Sequence, residues 1–160
     1  MQTTMKEPSR AASAQPKTRI AKILVPFDFG EPAQHALEYA RELARQLGAS
    51  LDVISVVSVP YALPVTDGGL YHLPPEFVRN VIQDTEKRLA EAAGTEGEAR
   101  HRTTVTTGDP RAEILTYAQA ENVDLIVMGT RGRTGPAHLI FGSVAEHIVR
   151  NAPCAVLTVR

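Results

Sequence analysis

Short runs of contiguous apolar residues alternate along this chain with longer stretches whose apolar residues recur every three or four positions. The first kind suits buried strands and the second suits helices with one core-facing side. Lys22-Ile-Leu-Val-Pro-Phe27 predicts a short strand, with Pro26 at its end or in a bulge. Pro32 is placed to open a helix, and Ala33, Ala36, Leu37, Ala40, Leu43, Ala44 and Leu47 give that helix one apolar face, ended by Gly48. Residues 50–59, rich in β-branched side chains, predict a second strand. Pro60 to Pro75 reads as a long loop, a length usually functional or mobile. Residues 75–93 predict a helix on Val78, Val81, Ile82 and Leu89, and 100–106 a polar, edge-like strand. Asp109 and Pro110 form a cap-and-start pair for a helix reaching about Glu121. A strand at 123–128, a helix at 142–151 and a strand at 154–159 complete the chain.

The order is therefore βαβαβαβαβ, which predicts an α/β fold: a parallel five-stranded sheet covered by helices on both faces. In such sheets ligands bind outside the carboxyl ends of the strands, where strand order reverses. In the order 3-2-1-4-5, strands one and four are neighbours. The loops carrying Asp28 and Gly129 then meet.

Strand four runs into Gly129-Thr-Arg-Gly132-Arg-Thr-Gly135-Pro-Ala-His-Leu-Ile-Phe-Gly142-Ser143, and then into a helix. Glycines let the backbone turn and bring N–H groups close to an anion. The helix N-terminus adds unpaired donors and partial positive charge. Phosphate is the ligand such a loop suits. The spacing differs from the G-x-x-x-x-G-K-[ST] loop and from G-x-G-x-x-G, and the loop holds no lysine. Arg131 and Arg133 either neutralise phosphate or are ordinary solvated charges. Asp28, at a strand's carboxyl end, either orders a ribose hydroxyl or metal-bound water or forms a turn. Ser143 either bonds a phosphate oxygen or sits in the first helical turn.

Composition narrows the partners. Of 160 residues about 140 belong to one domain, 20–160, and residues 1–19, polar and Ala/Ser-rich without an apolar segment, read as a disordered tail. The net charge of −1, aromatics at 5% and the absence of tryptophan argue against a nucleic-acid partner. No apolar run approaches the ~20 residues that span a bilayer, so a cytoplasmic location is expected. The single cysteine, Cys154, lies in an apolar strand and reads as core. The five histidines show no zinc-ligand spacing.

G-x-x-G, nine residues, then G-S resembles the ATP-binding signature of the universal stress protein family. Ile23-Leu-Val-Pro-Phe-Asp-Phe29, Gly108-Asp-Pro, Asp124-Leu-Ile-Val-Met-Gly129, Gly142-Ser-Val-Ala-Glu146 and Asn151-Ala-Pro-Cys154 extend the resemblance over about 22–160. The resemblance implies a cytoplasmic homodimer of flavodoxin-like, doubly wound topology that binds ATP, often with Mg²⁺ or Mn²⁺, and serves stress regulation through a regulatory protein partner not named by the sequence. By motif position the nucleotide contacts would be Asp28, Met128, Gly129, Arg131, Gly132, Gly142, Ser143 and Val144, with strand two around Val53 beside the adenine. Gly30 stands where the family often has Ser or Thr, so a hydroxyl near the ribose or phosphate is lost. The C-terminal strand, apolar and uncharged until Arg160, is the expected dimer edge.

An enzyme is the competing reading. Phosphoryl transfer wants a positioned base and cations on the γ-phosphate. No base is evident here, and strand one is not followed by the S-G-G-x-D-S loop of adenylating relatives. ATP hydrolysis, if any, is expected to be slow, and no residue is assigned as catalytic.

Overall fold

The computed structural model describes residues 19–58, 62–64, 70–94, 101–130 and 142–160. The expected N-terminal tail, apart from Arg19, and most of the glycine loop, Arg131 and Gly132 included, lie outside them. Elements along the chain are β1 (Lys22–Pro26), α1 (Glu31–Leu47), β2 (Ser50–Val57), β3 (Ala62–Pro64), β4 (Leu70–His72), α2 (Pro75–Ala93), β5 (His101–Thr107), α3 (Pro110–Ala120), β6 (Leu125–Gly129), α4 (Ser143–Asn151) and β7 (Ala155–Val159).

Five strands form one parallel sheet in the order β5-β2-β1-β6-β7. Numbered within that sheet alone, this is 3-2-1-4-5, the expected flavodoxin-like arrangement. Alternation within each strand divides the core in two, because successive side chains leave opposite faces. Ile23, Val25, Leu51, Val53, Leu125 and Val127 pack beneath α1 and α2. Leu24, Ile54, Ile126 and Met128 pack beneath α3 and α4. α1 lies close to the sheet because its buried positions are Ala33, Ala36, Ala40 and Ala44, with Leu37 the one large side chain among them. Gly48 ends that helix at φ 63°, and its N–H bonds the Ala44 carbonyl.

One expectation needs correction. The 60–75 stretch is not loop throughout: β3 and β4 pair antiparallel, with Ala62 opposite His72 and Leu63 opposite Tyr71. Its prolines suggested continuous loop, but Pro64 is the last residue of a strand in a two-stranded ribbon, where a missing N–H is tolerated. Gly68-Gly69 between two short apolar segments was the available hairpin signal.

At the amino ends of the strands, the buried carboxylate of Asp52 accepts hydrogen bonds from the Tyr117 hydroxyl at 3.0 Å and from Arg102 at 3.3 Å. Arg102 also pairs with Glu121 at 2.7 Å, and Lys22 bonds Glu121 at 3.1 Å. This network ties β1, β2 and β5 to α3, at the opposite end of the sheet from the glycine loop.

Candidate functional site

Strand order reverses between β1 and β6, and the two chain segments leaving them meet there. Gly129, the last residue of β6, lies against Pro32 in the first turn of α1. A Cβ on Gly129 would stand 2.7 Å from Pro32 Cβ and 2.8 Å from its carbonyl carbon and oxygen. Two of those three atoms are backbone, so there is no side chain to swing aside. The glycine is therefore required by packing, independently of any ligand.

Thr130 follows, buried, and anchors the loop on both sides. Its N–H bonds the Val159 carbonyl at 3.1 Å, continuing the β6–β7 ladder. Its carbonyl accepts from Gly142 N–H at 2.8 Å. The ends of the 131–141 segment are thus pinned to one point, and α4 starts at that point. Gly142 is the N-cap residue of α4 in extended conformation, and a glycine brings no side chain of its own to cap the helix. α3, by contrast, begins under the Asp109 carboxylate, which accepts from Arg111 N–H at 3.1 Å. An uncapped first turn offers backbone donors and the positive end of the helix dipole to an anion. The N–H of Gly142 is already engaged, which leaves the first-turn amides of Ser143 and Val144 as the donors of interest. Ser143 is exposed and Val144 half-buried.

On the β1 side, Asp28 is exposed, and its Oδ1 accepts the Gly30 N–H at 3.0 Å. The turn role that the sequence left open is therefore filled. Gly30 then caps α1, its carbonyl receiving Gln34 N–H at 3.0 Å. Between them, Phe29 has φ 64°, a left-handed conformation costly for a bulky side chain, on the order of 1–3 kcal/mol. Ring contacts offset that cost. Phe29 packs edge-on to Phe27 at 5.1 Å between centroids, and the Arg88 guanidinium of α2 lies 4.4 Å from its ring centroid. Such contacts contribute about 0.5–1.5 kcal/mol for an aromatic pair and about 0.5–1 kcal/mol for an exposed cation over a ring. Neither Phe29 nor Arg88 was legible as a site residue in the sequence: nothing local marks an αL phenylalanine, and Arg88 belongs to another helix.

Val53 and Met128 are both in the core, on opposite faces of the sheet. With 1% and 5% of their surface exposed, either would meet a ligand through its backbone. The structure thus brings Asp28, Gly129, Gly142, Ser143 and Val144 to the carboxyl end of the sheet and sets Val53 and Met128 beneath it. Among the described residues no group of three or more His, Cys, Asp or Glu side chains could hold a metal ion, and no helix is long and apolar enough to cross a membrane.

A parallel sheet in the order β5-β2-β1-β6-β7, with helices on both faces, defines the flavodoxin-like class of α/β domain. Within that class the chain belongs to the universal stress protein family, which matches residues 19–160. It is similar to a universal stress protein of Methanocaldococcus jannaschii, 34% identical over 139 residues, covering 87% of this chain and 81% of the relative. Among solved structures it is similar to universal stress protein UspA from Lactobacillus plantarum, with a TM-score of 0.68, 29% identity, and 90% and 100% of the two chains covered. The universal stress protein from Archaeoglobus fulgidus in complex with dAMP has the same fold at a TM-score of 0.59 and 23% identity, with 88% and 98% covered.

Proposed function

We propose that this protein is a nucleotide-binding stress-response regulator, taking ATP with its phosphates on Gly129, Arg131, Gly132, Gly142, Ser143 and Val144. The adenine lies along β2 near Val53, and Asp28 faces the ribose or a metal-bound water. The observation that supports the reading is the hydrogen bond that joins Thr130 to Gly142, at an α4 N-terminus whose N-cap residue is a glycine. The dAMP held by a relative of the same fold shows that this architecture accepts an adenine nucleotide in that protein, which is the ligand class proposed here.

Mg²⁺ or Mn²⁺ fits this site only as a partner of the phosphates, given the donor set among the described residues. The ion would supply charge neutralisation there, while the protein supplies backbone donors. Asp28 has one oxygen committed to Gly30 N–H, which suits it to orientation better than to proton abstraction. Any ATP turnover is therefore expected far below the ~10 s⁻¹ typical of enzymes. Bound nucleotide would act by altering a surface that a protein partner or a second copy reads.

Calorimetry with ATP and Mg²⁺ tests the reading. The expected affinity is micromolar, on the order of −8 kcal/mol. Gly132→Val combined with Gly142→Val should abolish binding while the circular dichroism spectrum stays native. Unchanged affinity in that double variant would sink the site assignment.

A further inference from the structure

The β1–α1 turn is held from outside by a residue far away in the chain. Phe27 is buried, Asp28 is exposed and Phe29 is half-buried against the α1/α2 side of the core. The backbone at Phe29 is left-handed, with φ 64°. A phenylalanine does not hold φ 64° by intrinsic preference, so the conformation must be imposed by what its ring touches. One contact, Phe27, is local. The other is Arg88, five residues before the end of α2. The helix is fixed under it by fully buried Leu89 and by buried Thr85, whose hydroxyl bonds the Val81 carbonyl at 2.7 Å. Asp84, one turn back, lies 3.8 Å from the guanidinium. Arg88 therefore reaches Phe29 from a rigid platform.

We propose that Arg88 is a positioning residue for the nucleotide crevice: by lying over Phe29 it holds the 27–30 turn in the geometry that sets the Asp28 carboxylate on the Gly30 N–H at the carboxyl end of β1. The inference rests on the nucleotide reading above. Among the described residues Arg88 lies against Phe29 and Asp84. It acts through Phe29 on the Asp28–Gly30 hydrogen bond, and so on where the carboxylate stands when a ligand arrives. Without the guanidinium the ring loses its cover and the turn relaxes toward ordinary backbone angles. Asp28 then spends less time in place.

The test compares wild type, Arg88→Met, Arg88→Lys, Asp28→Asn and the Asp28→Asn/Arg88→Met double variant in the full chain, with Mg²⁺-ATP as the probe. Methionine keeps the aliphatic stem and removes the planar cation. Arg88→Met should weaken ATP about five- to tenfold, and lysine should restore part of that loss. Asp28→Asn should weaken wild type but add less than twofold in the Arg88→Met background, since the carboxylate is already misplaced; that non-additivity marks a shared path. Independently of any ligand, exchange of the Gly30 amide should quicken in Arg88→Met while the global unfolding midpoint stays put. A wild-type affinity in Arg88→Met, penalties that multiply in the double variant, or an unaltered Gly30 amide would each overturn the positioning role. Failure of wild type itself to bind ATP would overturn the nucleotide reading and this inference with it, and is told apart because the loss then appears before any substitution.

Discussion

Gly129 shows how a single hydrogen in place of a methyl group sets the spacing of two elements. Any side chain there would drive β6 away from the α1 backbone at Pro32. Overpacking of this kind costs about 1–3 kcal/mol when the surroundings cannot yield. Gly129→Ala should therefore lower the urea midpoint with little change in its m-value, in the absence of nucleotide. A variant as stable as wild type would mean that α1 can shift outward at no cost. Phe29 illustrates the converse, a residue in an uncomfortable conformation because its surroundings over-determine it.

At the scale of elements, helix ends are tied down by different means. α3 has its Asp109 cap, and the Arg111 hydrogen bonds hold that carboxyl below its usual range. α1 ends on a left-handed glycine. α2 is fastened at its C-terminus from outside: Arg41 of α1 donates to the Ala92 carbonyl at 2.6 Å. One of that helix's orphan carbonyls is thereby satisfied across the helix–helix contact, with the cation at the favourable end of the dipole. Replacing Arg41 with Met keeps the stem and removes the donor. The expected loss is on the order of 1 kcal/mol, with amide exchange quickened in the last turn of α2 and unaffected in α3. Uniform quickening across the sheet would show instead that the contact supports the whole core.

At the scale of the molecule, the network at the amino end of the sheet should shape the response to acid. Hydrogen bonds from Lys22 and then Arg102 hold the Glu121 carboxyl below its ordinary value of 4.5. A depressed folded pKa contributes stability above about pH 4.5 that is lost as pH falls through the folded value. Glu121→Gln should lower stability at neutral pH and flatten the decline below pH 4.5. A decline as steep as that of wild type would place the acid sensitivity elsewhere. β7 bounds the sheet, paired with β6 and with no further strand beyond it among the described residues. Its Val156, Leu157, Thr158 and Val159 are only half-buried. An apolar edge of this kind invites pairing with its own copy. The protein is expected to scatter light as a dimer at ~50 μM, well above the Kd of a typical stable dimer, and Val156→Lys to shift it toward monomer. A monomeric wild type at that concentration would remove the dimer from the proposal.

How much of this was present in the sequence depends on the range of the interaction involved. Apolar period, with the proline, glycine and β-branched signals beside it, located the five strands of the main sheet and four helices, with ends displaced by a residue or two, because these are local properties. Gly48 and the Asp109-Pro110 pair were equally readable, since a C-cap and an N-cap concern only a few consecutive residues. The pairing of β3 with β4 was hidden by the prolines, although Gly68-Gly69 in the sequence was an available signal. The glycine loop announced itself by spacing, and the family followed from it. What the sequence could not determine are the contacts made by residues far apart in the chain: Gly129 against Pro32, Arg88 over Phe29, Asp52 beneath Tyr117 and Arg102. Each depends on how helices settle against a close-packed sheet, a property of the assembled layers. The sequence by itself determined which segments are the helices and the strands of the main sheet, and it singled out the glycine-rich segment as the candidate for phosphate. The tertiary structure decided which atoms those segments bring together, because only packing sets the distances between them.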